Sequence, residues 1–144
     1  MMKRFIASLR SDQTAASAVE FALIGPAFIT MFMGVMQVGM GMQNYNALRS
    51  ISADTARYAV VNYQKSNQVT AIQMQNFAKA AAIKAPYGLH NADFVAFVST
   101  PVIQRVSGAT EFQLRLTYQV PTFLKIIGIN KIPVTYTRPI FVLP

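Results

Sequence analysis

The feature that most constrains this chain is an uncharged run of 22 residues near its N-terminus. The run extends from Phe21 to Met42 and reads FALIGPAFITMFMGVMQVGMGM, with Thr30 and Gln37 as its polar interruptions. An α-helix of that length spans about 33 Å, enough to cross a hydrocarbon core about 30 Å thick. A core helix of a soluble protein would be expected to carry a polar face. The sequence therefore predicts a transmembrane helix over residues 16–43.

The overall composition agrees with a membrane-anchored chain. Charged residues make up 12% of the sequence and hydrophobic residues 53%, whereas a soluble domain carries about 25% charged residues. This apolar content excludes an intrinsically disordered protein. The chain has no Cys, which excludes disulfides, thiolate metal sites and a cysteine nucleophile.

The charges that flank the run predict its orientation. Lys3, Arg4 and Arg10 precede it, and short segments rich in Lys and Arg remain in the cytoplasm. We therefore expect a basic cytoplasmic leader over 1–15, a single span of the inner membrane, and a periplasmic domain over 44–144. A cleavable signal peptide would have a shorter apolar region followed by a small-x-small site. The run is longer than that and no such site follows it, so we expect the helix to be retained.

Glu20 is the most informative single residue, because it lies immediately before the apolar run. An ionised carboxylate near lipid is costly and is usually kept for a partner or a function. The alternative is that Glu20 lies at the headgroup level or near a helix N-terminus, where negative charge is favourable. Taken alone, the residue leaves both interpretations open.

The segment around Glu20, which reads TAASAVEFALIGP over residues 14–26, resembles the N-terminal signature of TadE-like pseudopilins. These are minor, pilin-related proteins of the tight-adherence (Tad, Flp-type or type IVc) pilus machinery. The later stretch SISADTARYAV is similar to the alanine-rich helix that follows the span in this family. The resemblance implies a long pilin-like helical stem and a structural role in a pilus or a related secretion assembly.

The resemblance also implies a processing and assembly site. A prepilin peptidase would cut between Ala15 and Ala16, which makes Glu20 the fifth residue of the mature chain, with Phe21 beside it. The family usually has Gly before the cut, where this chain has Ala15. The new ammonium group of Ala16 would pair with Glu20 of a neighbouring subunit and set the axial register between subunits.

Gly25 and Pro26 lie inside the predicted span. Proline removes one backbone hydrogen bond and disfavours helical geometry at the preceding residue, so the pair predicts a kink. Membrane helices often tolerate such kinks. An ordinary kink and a site at which the helix stretches on leaving the lipid both remain open.

The rest of the chain predicts an α+β domain, with a small helix and an antiparallel sheet after the long helix. Helical spacing continues to Tyr63, Lys65 to Gln68 is a break, and a second helix covers 69–85 before Pro86 and Gly88. Its predicted apolar stripe is Ala71, Met74, Phe77, Ala78, Ala81 and Ala85. Strands are predicted at Phe94–Ser99, Val102–Val106, Glu111–Val120 and, as one last edge strand, Ile132–Thr137 with Ile140–Leu143.

Three further predictions concern side chains outside the span. Asp54 and Arg57 are three residues apart and can pair on a helix. Glu111 falls on the polar face of its strand. The apolar stretch Pro121–Ile129 is either a loop folded onto the core, which we favour slightly, or an exposed patch for a neighbour or the membrane surface.

The sequence contains no pattern typical of catalysis. It has no HExxH, P-loop, GxSxG or dinucleotide motif, and His90 with Asp93 is too weak a pattern for a metal site. We therefore predict no enzymatic activity, no cofactor and no bound metal. The net charge of +8 is dispersed and suits anionic lipid, while nucleic-acid binding is not expected.

The predicted function is that of a minor pilin or pseudopilin of a Tad pilus or related secretion assembly. Its partners, as the resemblance implies them, are other pilins and pseudopilins, the prepilin peptidase, pilus assembly platform proteins and membrane lipid. The alternative is an unprocessed, single-pass periplasmic binding module that never enters a filament.

Overall fold

The computed structural model describes residues 13–65 and 67–143, and it confirms the predicted α+β architecture. A long helix is followed by a short helix and a three-stranded antiparallel sheet of order β1-β2-β3. The chain divides into two compact units, one ending at Val38 and the other beginning at Gly39. The elements are α1 (Gln13–Gln64), α2 (Ala71–Ile83), β1 (Phe94–Ser99), β2 (Thr110–Pro121) and β3 (Lys131–Val142), with short 3-10 helices at Asn91–Asp93 and Leu124–Ile127.

Helix α1 is continuous from Gln13 to Gln64 and contains Pro26 in its interior. The sequence predicted one helix ending near Tyr63 and a break after it, and both are confirmed. The helix is apolar and long enough to cross a membrane, and none of its most apolar stretch is buried within the protein.

Helix α2 begins with a capping box. The Gln73 backbone N–H donates to the Thr70 hydroxyl at 3.3 Å, and the Thr70 backbone N–H donates to Gln73 Oε1 at 2.8 Å. The helix is shorter than predicted at both ends, and it ends at Ile83. Because it ends before Ala85, the predicted stripe is wrong at that position: Ala85 is exposed and Ala82 is buried, beside Met74 and Ala78.

Strand β2 is the centre of the sheet and follows the predicted alternation. Leu114 and Leu116 are fully buried on the face that packs into the core. Strand β3 is an edge strand, as its prolines indicated, and it is continuous from Lys131 to Val142, where it pairs with β2. Proline fits an edge strand because its missing N–H can face away from the ladder.

The core of the second unit lies between the inner face of the sheet and the two helices. From α1 it receives Leu48, Ile51 and Ala59, each fully buried. Two aromatic contacts connect this helix to the sheet: Tyr45 lies edge-on to Tyr136 with ring centroids 5.6 Å apart, and Tyr63 lies edge-on to Phe112 at 6.3 Å. The sheet is thus packed along the helix over most of its second half.

One predicted strand is wrong. Residues 102–106 are irregular, and Val102 and Ile103 are almost completely exposed. The adjacent polar side chains explain the difference, because Arg105 forms an ion pair with Glu111 and the Gln104 side chain accepts a hydrogen bond from the Glu111 backbone. These contacts fold the segment back onto the start of β2 instead of extending it along a strand.

The stretch Pro121–Ile129 is only partly folded onto the core. Thr122 is buried, but Phe123 and Ile129 remain 49% and 42% exposed. The slight preference for a core loop is therefore wrong for these two side chains, and the exposed-patch alternative describes them better.

Candidate functional site

The candidate site begins at the N-terminal end of α1. Ala16, Glu20 and Phe21 are all exposed on the helix, and the Phe21 side chain is 77% exposed. Ala15 belongs to the same helix, but its side chain lies outside the described residues. Ala16 and Glu20 are four residues apart, so they lie one turn apart on the same helix face.

The Glu20 carboxylate is available to a partner. Among the described residues it takes part in no ion pair and no side-chain hydrogen bond. Its neighbours on the helix, Val19 and Phe21, are apolar and exposed. A carboxylate in such surroundings is stabilised by an opposite charge supplied from another molecule.

Gly25 and Pro26 lie within the unbroken helix, one turn after Phe21. Proline has no N–H to donate to the carbonyl four residues earlier, while the Pro26 carbonyl itself accepts a hydrogen bond of 2.8 Å from the Thr30 hydroxyl. A Cβ added at Gly25 would lie 3.9 Å from Phe21 Cε1, an ordinary contact. Local packing within the helix therefore does not demand glycine, and the kink remains a prediction.

A broad apolar surface begins beside Glu20 and continues along α1. Such a surface is far larger than the apolar patches that a monomer keeps in water, and it marks contact with lipid or with other helices. The large hydrophobic side chains exposed on it are Val19, Phe21, Leu23, Ile24, Phe28, Ile29, Met31, Phe32, Met33, Val35, Met36, Val38 and Met42.

The second unit contains a groove between α1 and α2. Tyr58 and Phe77 stack in it with ring centroids 4.3 Å apart and planes 7° apart. Cavities of about 360 and 370 Å³ adjoin the stack and share Asp54 and Phe77 in their walls. The predicted pair of Asp54 with Arg57 is wrong, because Asp54 accepts a hydrogen bond from Tyr87 instead.

The position of Glu111 also differs from the sequence prediction, which placed it on the polar face of β2. Its side chain is 2% exposed and forms an ion pair with Arg105. Arg105 also donates its backbone N–H to this carboxylate at 3.1 Å. Hydrogen bonding from Arg105 holds the pKa of Glu111 below its ordinary value. The alternation along β2 gave no signal for this burial, because the loop that covers Glu111 precedes the strand.

The Asp93 carboxylate lies beside two basic side chains of the protein. Lys131 forms an ion pair with it, and His90 Nδ1 lies 3.5 Å from the same carboxylate. Within residues 13–65 and 67–143, no three residues of the types His, Cys, Asp and Glu come together in a way that could hold a metal ion. The His90 side chain is 72% exposed, as expected for a surface histidine.

Comparison with known proteins gives a family match for a segment that lies on α1. Residues 15–57 match the family model described as TadE-like protein. The matched segment contains Ala16, Glu20 and Phe21 and most of α1. The search of curated proteins and the search of solved structures gave no significant match.

Proposed function

We propose that this chain, whose residues 15–57 match the TadE-like family model, is a minor pilin or pseudopilin of a Tad-type pilus or a related secretion assembly. The observation that carries the proposal is the exposed apolar surface of α1, which begins at Glu20 inside the matched segment. Such a helix suits lipid before assembly and neighbouring helices afterwards. The role is structural rather than catalytic.

Processing prepares the helix for assembly in this proposal. A prepilin peptidase cuts between Ala15 and Ala16 and recognises Glu20 and Phe21. The cut leaves an ammonium group on Ala16. When one subunit joins another, this group pairs with the exposed Glu20 of its neighbour, since a pair costs less in apolar surroundings than either charge alone. The pairing sets the axial register of the two helices.

Gly25 and Pro26 have a mechanical role in the same proposal. The carbonyl of Ala22 lacks the usual N–H donor because residue 26 is proline. The helix is therefore weakest at this turn, which lies directly after the assembly site. Bending or stretching there lets the N-terminal end of the helix adjust to its neighbours on leaving the lipid.

The proposed location is the inner membrane, crossed once. The leader over 1–15 lies in the cytoplasm, the span covers 16–43, and the domain over 44–144 lies in the periplasm and can accompany the pilus to the cell surface. The partners are other pilins and pseudopilins, the prepilin peptidase, pilus assembly platform proteins and membrane lipid. The positive-inside distribution of Lys and Arg around the apolar helix supports this orientation.

The assembly step is tested by substituting Glu20. Glu20→Ala is expected to leave membrane insertion and cleavage intact but to abolish pilus output, measured as sheared surface fibres. Glu20→Asp is expected to restore part of the output, because it keeps the charge. Gln43→Ala, an exposed polar position on the same helix, is the matched control and should assemble normally. Normal fibre output from Glu20→Ala would contradict the pairing.

The processing step is tested separately by N-terminal sequencing of the membrane-extracted protein. The expected first residue is Ala16, and Ala15→Gly, which introduces the residue usual in the family, should be cut at least as completely. An intact leader would contradict the proposed cleavage.

The groove beside Tyr58 and Phe77 favours the alternative function, a membrane-anchored binding module. A stable uncut monomer that binds a soluble ligand in this groove would support that alternative.

A further inference from the structure

The direction of the sheet relative to the second half of α1 follows from two aromatic contacts. Tyr45 contacts Tyr136, and further along the helix Tyr63 contacts Phe112. Phe112 is paired with Ile140 across the sheet. Strand β3 therefore runs in the same direction as the second half of α1. Its start lies toward Tyr45 and its end toward Tyr63.

The start of β3, and the connection that leads into it, consequently lie at the Tyr45 end of the second unit. We call the connection, residues 122–130, the proximal loop. The ion pair between Lys131 and Asp93 holds the start of β3 beside the start of β1 at this same end. Tyr45 follows the last residue of the apolar run, Met42, by less than one helical turn. The end of the run, Gly39 to Met42, belongs to the second unit, so a membrane that holds the run would meet this unit at its Tyr45 end.

The proximal loop is closed by hydrogen bonds and keeps apolar side chains at its surface. The Thr122 backbone N–H donates to the Asn130 carbonyl at 3.3 Å, which closes the loop, and the Leu124 backbone N–H donates to the Thr122 hydroxyl at 2.6 Å. Phe123 and Ile129 are nevertheless 49% and 42% exposed. The Lys125 side chain is exposed between them in sequence.

We propose that the proximal loop is a second membrane contact, which inserts Phe123 and Ile129 into the bilayer interface while Lys125 binds anionic lipid headgroups. Aromatic side chains at the interface and lysines near anionic lipid are both favourable. Tyr45, which is 43% exposed, adds a second aromatic side chain at the same level. The contact fixes the domain against the membrane surface and does not depend on pilus assembly.

The opposite end of the sheet provides an internal control. The connection between β1 and β2 also exposes apolar side chains, with Val102 and Ile103 almost fully exposed. It leads into the start of β2 near Phe112, which contacts Tyr63 at the far end of α1. Apolar exposure is therefore greater at this far end, but the proximal loop is the connection at the Tyr45 end, where the apolar run enters the second unit.

The chain contains no Trp, so the fluorescence of a single introduced tryptophan reports only on its own position. Full-length Phe123→Trp and Val102→Trp are placed one chain per nanodisc, in bilayers with brominated acyl chains. A side chain about 5–10 Å deep in the interface is reached by such a quencher, so F123W is expected to be quenched at least about threefold more than V102W. Ile129→Trp serves as the second reporter if F123W does not fold.

The other outcomes contradict the proposal. Equal quenching of the two reporters would overturn it. So would blue-shifted but unquenched emission from F123W, which would place the loop against protein. Quenching of F123W that appears only with several chains per disc would show that the lipid contact requires subunit association, which would also contradict the proposal.

The headgroup contact is tested with a charge reversal. In anionic bilayers Lys125→Glu is expected to reduce the quenching of F123W at least about twofold. Lys79→Glu is the matched control, because Lys79 is an exposed lysine on α2 and not part of the loop, and it should leave the signal unchanged. Identical quenching in anionic and zwitterionic bilayers, with no effect of Lys125→Glu, would contradict the role of Lys125.

Discussion

The Tyr87 hydroxyl donates a hydrogen bond of 2.9 Å to Asp54 Oδ2, and so joins the turn after α2 to the middle of α1. The two residues are 33 positions apart in the chain. Burial of the hydroxyl, together with its hydrogen bond to Asp54, raises the pKa of Tyr87 above its ordinary value. The bond lies beside the stack of Tyr58 on Phe77, and together they hold the two helices against each other.

Removing this hydroxyl should weaken the packing of the two helices. Tyr87→Phe is expected to lower the free energy of unfolding by about 1 kcal/mol, because one hydrogen bond to a charged acceptor is lost while the ring is kept. The measurement is urea unfolding of the full-length chain in detergent. Tyr58→Phe keeps its stacked ring and is the matched control. An unchanged midpoint for Tyr87→Phe would show that the bond contributes nothing.

The same bond predicts a loss of stability in strong alkali. The folded-state pKa of Tyr87 is raised above the ordinary 10.0, so the folded chain keeps a proton that the unfolded chain releases. The contribution is complete below pH 10.0 and is lost as the pH rises through the folded pKa. The wild-type chain should therefore lose more stability above that pH than Tyr87→Phe does. Parallel pH profiles for the two proteins would contradict the prediction.

The ion pair between the buried Glu111 and the exposed Arg105 predicts the opposite behaviour in acid. Hydrogen bonding from Arg105 lowers the folded-state pKa of Glu111 below the ordinary 4.5. This stabilisation is present above pH 4.5 and is lost as the pH falls through the folded pKa. Thermal unfolding between neutral and acid pH should show a smaller acid loss for Glu111→Gln than for the wild type. Asp93→Asn removes a carboxylate that is more exposed than that of Glu111 and serves for comparison.

Leu116 should be among the positions most sensitive to truncation. It is fully buried in the central strand, so Leu116→Ala is expected to cost about 2–5 kcal/mol of unfolding free energy by leaving a cavity. Val95 lies on β1 with 56% exposure, and Val95→Ala should change the free energy by no more than about 0.5 kcal/mol. Similar losses for both variants in denaturant unfolding would argue against the observed sheet orientation.

The capping box of α2 can be tested at Thr70. Thr70→Ala is expected to destabilise the chain by about 1 kcal/mol, since the Gln73 backbone N–H loses its acceptor. Hydrogen exchange of the first turn of α2 should become faster in parallel. Thr100→Ala, at an exposed position in a loop, should have little effect. Unchanged exchange in α2 would show that the cap does not hold the helix start.

Local signals were sufficient for elements whose partners are near in sequence or whose pattern is periodic. The alternation from Phe112 to Val120 and the prolines of β3 correctly predicted a half-buried strand and an edge strand. The segment Val102–Val106 had the apolar composition of a strand but did not form one. Its conformation depends on Gln104 and Arg105 meeting Glu111, and no periodic pattern encodes such a contact.

The sequence by itself determined the apolar helix, its acidic residue at position 20, and the two helices and three strands that form, although it also predicted a strand at 102–106 that does not. Chain length, hydropathy and side-chain periodicity are properties of the sequence alone, so they can be assessed without a structure. Only the tertiary structure decided that Asp54 bonds to Tyr87, that Glu111 is buried, and that the proximal loop lies at the Tyr45 end. Each of these depends on contacts between particular side chains or elements that no local periodic pattern encodes.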